Sequence, residues 1–231
     1  MEVFTSEKLR KIQLFGALTI DQCEALLDRH LLSHHQAGQL FVMEQDWDEA
    51  VFLICSGIAK VRSYTTDGEE AVMSLLGEGD VFGELSLIKS FPRSADVVAL
   101  TSGTVLKLRA APLKALLQKE AGFAFELFKL EASRLRDLNQ RFAIQTSSAT
   151  IRLLNTLAYV ACKSSLSALP TNKIPPLVQS ELGLIAGLSR ETTSRTLKKL
   201  ISRGVIKETN KCLEIVDLSY LEKLGLYLDS M

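Results

Sequence analysis

Two short stretches hold side chains whose types and spacing could do chemistry. The first is Phe82-Gly83-Glu84-Leu85-Ser86-Leu87, followed by Pro92-Arg93-Ser94-Ala95-Asp96. Gly83 permits close backbone approach to a ligand. Backbone amides of a short helix opening near Glu84, with Leu85 and Ser86 in its first turn, can hold an anion. Arg93 can fork onto a phosphate, Ser94 can donate to it, and Glu84 can accept from a ribose hydroxyl. A loop with a structural Glu–Arg ion pair fits the same residues.

The second stretch is Ser189-Arg190-Glu191-Thr192-Thr193-Ser194-Arg195. Ser189 is a good N-cap. The helix it opens turns Leu188, Thr192, Thr196, Leu197 and Leu200 inward. Arg190, Glu191, Ser194, Arg195 and Lys198 then share the outer face. That face suits a DNA major groove: Arg makes two bonds to guanine, Glu accepts from cytosine, and Ser meets several base edges. The N-terminal half of such a helix enters the groove first. Gln179 and Ser180 open the preceding helix and join the DNA-contacting set. Residues 171–212 carry eight basic and three acidic side chains, in a chain of zero formal net charge. Phosphate attraction is therefore local. A merely solvated charged face is the plain alternative. The preceding helix, the turn at Gly187, the cap and the wing that follows argue against it.

The elements that must position these groups follow from periodicity. Residues 5 to 32 read as helical, with Thr19 capping a second helix. From Gly38 to Leu108, short apolar runs alternate with Gly and Asp turns: Gln39–Met43, Ala50–Ile54, Ile58–Tyr64, Ala71–Leu76, Val97–Leu100 and Thr104–Leu108. These predict a β-roll or barrel. A long helix follows over Phe123–Gln145. Its apolar stripe, Phe128, Leu135 and Phe142 with Leu138, reads as a two-stranded dimer seam, against packing on its own domain. Thr146-Ser147-Ser148 reads as a hinge, Ala149–Cys162 as a helix and Lys163–Pro176 as a surface loop. Val178–Ala186 and Ser189–Arg203 form two helices around Gly187. A hairpin of Val205–Glu208 and Leu213–Val216 turns at Asn210-Lys211.

The 231 residues suffice for two modest domains with cores. The N-terminus lacks an apolar signal core, and runs such as Ala50–Cys55 are far shorter than the ~20 residues a spanning helix needs. The expectation is a cytoplasmic protein with no membrane contact. Cys23, Cys55, Cys162 and Cys212 are far apart and give no metal spacing. They read as small buried apolar residues. His30, His34 and His35 near a helix–strand junction read as surface or capping residues rather than haem or metal ligands. No nucleophile–base set points to an enzyme.

Together, the two motifs resemble the Crp/Fnr superfamily of transcription regulators over about residues 10–220. The first is similar to the phosphate-binding cassette of cyclic-nucleotide-binding domains. The second is similar to the superfamily's winged helix-turn-helix. The resemblance implies that Glu84 binds a ribose 2′-hydroxyl and that Arg93 and Ser94 bind the cyclic phosphate. It implies that Arg190, Glu191 and Arg195 read bases while Ser189, Thr192 and Lys198 touch phosphates. An alternative set in the family, Glu-x-x-Ser-Arg, fits Glu191, Ser194 and Arg195. A TGTGA-like palindrome is preferred, with its second and third base positions open. Two departures bear on the effector. The family's adenine-contacting Thr-Ser pair is replaced by Asp137-Leu138-Asn139, which makes Asn139 the candidate contact to the base. Glu44-Gln45-Asp46-Trp47 stands where relatives carry a glycine turn.

The resulting expectation is an α+β chain. Residues 1–122 form a cyclic-nucleotide-binding β-roll, 123–147 a dimerisation helix and 148–231 a winged helix-turn-helix. The expected function is a homodimeric, sequence-specific DNA-binding regulator controlled by cyclic AMP, with RNA polymerase as a partner through the Lys163–Asn172 loop. Cyclic GMP and ligand-independent or redox-tuned action stay open. A cyclic-nucleotide-binding subunit acting on a protein partner is the rival from another class.

Overall fold

The computed structural model describes residues 4–164, 172–210 and 212–226. Residues 165–171 of the expected Lys163–Pro176 loop and Lys163–Asn172 polymerase contact lie outside the described residues; of the rest, Lys163 ends a helix and Lys173–Ile174 form a strand rather than loop. Lys211 of the hairpin turn also lies outside the described residues.

The N-terminal stretch is not continuously helical. It forms α1 (Ser6–Arg10), a 3-10 turn (Gln13–Phe15) and α2 (Ile20–Leu27), then already β1 (Leu31–His35). Thr19 caps α2 as expected, within a reciprocal capping box with Gln22 at 2.9 and 3.2 Å. β1 exists because it pairs with a distant strand. His34 therefore lies on a strand, with Nδ1 2.8 Å from Thr104 Oγ1, and shares no helix face with His30.

The roll continues with β2 (Leu40–Val42), β3 (Ala50–Ser56), β4 (Ala59–Tyr64), β5 (Glu70–Leu76), β6 (Val81–Phe82), α3 (Leu85–Ile88), β7 (Asp96–Ala99) and β8 (Gly103–Arg109). Two four-stranded sheets form, in orders β1-β8-β3-β6 and β2-β7-β4-β5. The unbroken apolar run in β3 is explained by two covered faces. Phe52 and Ile54 enter the core between the sheets, while Val51 and Leu53 pack under the helices.

α4 (Ala110–Lys119) and the long α5 (Ala121–Ile144) follow. Phe123 and Leu127 bury one face of α5. Phe128, Leu135, Leu138 and Phe142 are left exposed along another. The C-terminal half comprises α6 (Ala149–Lys163), β9 (Lys173–Ile174), α7 (Gln179–Ala186), α8 (Arg190–Ser202), β10 (Ile206–Thr209), β11 (Cys212–Ile215) and α9 (Leu218–Lys223). β9 adds an unforeseen third strand to the wing, in order β10-β11-β9. Among the described residues, no helix is long and apolar enough to cross a membrane.

Candidate effector cavity and nucleic-acid interface

A cavity of about 560 Å³ opens between the roll and α5. Gly83, Glu84, Leu85, Ser86, Arg93 and Ser94 all line it, so the structure brings six of the seven candidate ligand residues together. The seventh, Asn139, does not line it; it is exposed further along α5. Glu131 and Arg134 face the cavity from α5 instead. Neither residue stands among the sequence candidates for this site. The signal that could have found Arg134 is the need of a buried Glu84 for a cation.

Gly83 adopts φ 78°, which favours glycine. A side chain there would strike the Arg93 guanidinium and the Ala50 carbonyl. The bare backbone lets Arg93 turn inward, where it is 7 % exposed. Its Nη1 donates to Gly83 O at 3.1 Å and its Nη2 to Ala50 O at 2.8 Å. Its Nε is buried without a hydrogen-bond partner among the described residues. Burial pulls this guanidinium below its usual range, against the opposing pull of Asp48 and Glu84. A buried cation with an idle N–H fits an anionic ligand group. Ser94 stands exposed beside it, whereas the Ser86 hydroxyl already donates to Gly83 O at 2.8 Å.

The unusual Glu44–Trp47 loop supports the same arginine. Gln45 takes the left-handed conformation, φ 68°, without being glycine. Gln45 N donates to Arg93 O, and Arg93 N donates to Asp46 O, both at 2.9 Å.

Glu84, next to Gly83, is 5 % exposed and pairs with Arg134 of α5 at 2.7 Å. Arg134 also reaches Glu131 at 3.2 Å and donates to Val81 O. Burial, then the neighbouring Glu84, pushes the Glu131 carboxyl above its usual range. Burial alone would lower Arg134, but the carboxylates outweigh it and its pKa rises.

The second region is α7 and α8. Gly187 turns the chain between them at φ 62°. Arg152 of α6 fixes this turn, donating to Ala186 O at 3.0 Å, to Gly187 O and to Gln145 Oε1. Ser189 Oγ caps α8 by accepting from Thr192 N at 3.2 Å. Gln179, Ser180, Ser189, Arg190, Glu191, Arg195 and Lys198 are exposed, and Thr192 and Ser194 half-exposed. The inward register differs by one residue from expectation. Thr193, not Thr192, is fully buried with Thr196, Leu197 and Leu200. Thr193 Oγ1 satisfies its own polarity by donating to Ser189 O at 2.9 Å.

Among the described residues, no group of three or more His, Cys, Asp or Glu could hold a metal. The four cysteines are free; Cys23 is buried and the others half-buried. Burial pushes the Cys55 thiol up to about 11 and also raises Cys23, which disfavours the thiolate at both.

Residues 32–120 match the family model for the cyclic nucleotide-binding domain, and residues 151–224 that for the Crp-like helix-turn-helix domain. The chain is 30% identical to the cyclic AMP receptor protein of Thermus thermophilus, over 92% of this chain and 96% of that one. It is 27% identical to the cAMP-activated global transcriptional regulator Vfr of Pseudomonas aeruginosa, over 82% and 92%. The solved structure of FixK2 from Bradyrhizobium japonicum shares the fold, with a TM-score of 0.72 at 19% identity, over 84% of this chain and 96% of that one.

Proposed function

This chain belongs to the Crp/Fnr family of DNA-binding transcription regulators, and on that premise we propose that it is a homodimer whose DNA binding is set by cyclic AMP. The observation that carries the effector reading is the cavity lined together by Arg93, with its idle Nε, Ser94 and Glu84. Arg93 and Ser94 hold the cyclic phosphate and Glu84 accepts from the 2′-hydroxyl. Gly83, Leu85 and Ser86 shape the phosphate end. Arg134 must share or release Glu84 when the ribose arrives. Asn139, being exposed, reaches a base only if α5 of a second subunit brings it there.

The exposed stripe of Phe128, Leu135, Leu138 and Phe142 is what supports the dimer, since a patch of this kind needs cover. Two recognition helices then meet half-sites one DNA turn apart, roughly 34 Å. Arg190, Glu191, Ser194 and Arg195 read the bases of a TGTGA-like palindrome. Ser189, Thr192, Lys198, Gln179 and Ser180 hold its phosphates. RNA polymerase is the partner that such binding recruits or blocks. Thermus thermophilus and Pseudomonas aeruginosa relatives named for cyclic AMP support the choice of nucleotide.

Calorimetry tests the effector. Wild-type protein is expected to bind cyclic AMP, and Arg93→Ala to lose roughly a hundredfold or more in affinity with the fold intact. That corresponds to truncating a buried charged hydrogen-bonding partner, about 2–5 kcal/mol. Unchanged affinity in Arg93→Ala overturns the assignment. A second reading, regulation without nucleotide, is favoured by one contact: Glu84 is already satisfied by Arg134 at 2.7 Å. DNA binding indifferent to cyclic AMP would select it.

A further inference from the structure

The DNA-reading half is docked on the roll, and it is docked on the back of the strands that line the cavity. Ser74 and Leu76 of β5 and Val61 of β4 point into the cavity. The residues between them point the other way. Leu75 is buried in one cluster with Leu157, Leu182 and Ile185 of α6 and α7. Tyr159 Oη of α6 accepts from Leu75 N at 3.1 Å and donates to Leu75 O at 3.2 Å. β5 is an edge strand, so this hydroxyl stands where a neighbouring strand would pair. Lys60 of β4, only 3 % exposed, lies between Glu70 at 2.6 Å and Glu181 of α7 at 2.7 Å. A buried ammonium shared by carboxylates from both halves is strongly tied to this one arrangement, because losing either carboxylate leaves it underpaired.

Gly77, just past β5, shows how close the approach is. Its φ is not left-handed. A Cβ added there would fall 2.3 Å from the carbonyl oxygen of Lys163, at the end of α6. Glycine is needed here for the docking and not for the local backbone. Lys163 and Asp80 pair beside it at 2.6 Å.

We propose that the β4–β5 layer is a coupler within one subunit: a ligand filling the cavity shifts β5, and β5 resets the docking of the DNA-reading half through Tyr159, Glu181 and the Gly77–Lys163 contact. The inference rests on the reading of the cavity as a nucleotide site. The docking orients and does not mask, since Arg190, Glu191, Arg195 and Lys198 stay exposed while docked. A layer one strand thick places the two surfaces a single side chain apart, so coupling needs no path through the long helix.

The test uses the full chain as wild type, Gly77→Ala and Glu181→Gln. Hydrogen exchange reads the Leu75 amide, and fluorescence anisotropy reads DNA affinity with and without saturating cyclic AMP. In Gly77→Ala, Leu75 is expected to exchange roughly tenfold faster or more. In both variants the factor by which cyclic AMP changes DNA affinity is expected to fall by about fivefold or more. A factor within about twofold of wild type in both variants overturns the coupler. If calorimetry shows that wild type binds no cyclic AMP, the effector reading fails by itself. The docking then stands or falls on two nucleotide-free values in Gly77→Ala: faster Leu75 exchange and a DNA affinity changed by about fivefold. Wild-type values for both overturn it.

Discussion

In the cavity, Glu84, Glu131 and Arg134 are buried or half-buried and joined at 2.7 and 3.2 Å. On α8, Arg190, Glu191, Arg195 and Lys198 are exposed and form no ion pair among the described residues. The two regions use the same side-chain chemistry under opposite conditions. Charges inside the protein must be paired by the protein, because desolvation otherwise penalises them by several kcal/mol. Charges meant for a polyanion gain most by staying free in water until the phosphates arrive. On the proposed function, the first region answers a ligand by exchanging partners, and the second answers DNA by acquiring them.

The contrast is broken most severely at Arg134. Arg134→Met leaves Glu84 and Glu131 facing each other in the cavity wall. The expected loss of folding stability is about 2–3 kcal/mol, at or just below the ~3–5 kcal/mol of a fully buried pair because Arg134 is partly exposed. Denaturant melts check it, and a loss under about 0.5 kcal/mol would show that water already screens the set.

The matching change on α8 should behave differently. Arg195→Ala is expected to keep folding stability within about 0.5 kcal/mol. It should weaken binding to the cognate palindrome by about 1–3 kcal/mol while sparing random DNA. Lys198→Ala should weaken both DNAs alike and reduce the salt slope by about one. Anisotropy at several salt concentrations separates the two outcomes. Equal losses for Arg195→Ala on both DNAs would assign that residue to phosphates.

The smallest effect sharpens the cavity side. The Glu131 pKa is raised in the fold, by burial and then by Glu84. A raised carboxyl favours the folded state when protonated. Its contribution is present below the ordinary carboxylate range and is lost as pH rises through the raised value. Wild type should therefore lose stability relative to Glu131→Gln as pH rises from acid to neutral. A difference that does not change with pH would contradict the direction of this shift.

What could be read in the sequence follows the same division. The wing hairpin and the α8 cap at Ser189 are local signals that survive into the fold; the turn at Ser56-Gly57, which reads as a hairpin, instead carries the chain from one sheet to the other, since β3 and β4 do not pair. β1 is not local: Leu31–His35 has no clean alternation and is a strand only through pairing with β8. The two-residue β9 likewise exists only by pairing with β11. The inward register of α8 was readable, since Thr193 with Thr196, Leu197 and Leu200 forms the i, i+3, i+4, i+7 set. Choosing Thr192 missed it by one residue. Gly83, Glu84, Leu85, Ser86, Arg93 and Ser94 could be grouped from the sequence through the family resemblance, and they line one cavity. Their partners on α5 could not be, because which face of a long helix meets a cavity depends on packing. That is why Asn139 lies on the surface while Glu131 and Arg134 line the site. The burial of Lys60 was equally invisible, since a lysine on an alternating strand reads as solvent-facing.

The central claim is that a nucleotide in the Glu84–Arg93 cavity sets how α8 meets DNA. It is tested most directly by titrating cyclic AMP into the full-length protein with a fluorescent TGTGA palindrome at about 0.15 M salt. The account predicts that DNA affinity rises by about fivefold or more at saturation, and that Arg93→Ala abolishes the rise while retaining nucleotide-free binding. An affinity that is the same with and without cyclic AMP, in protein shown to fold, would contradict it.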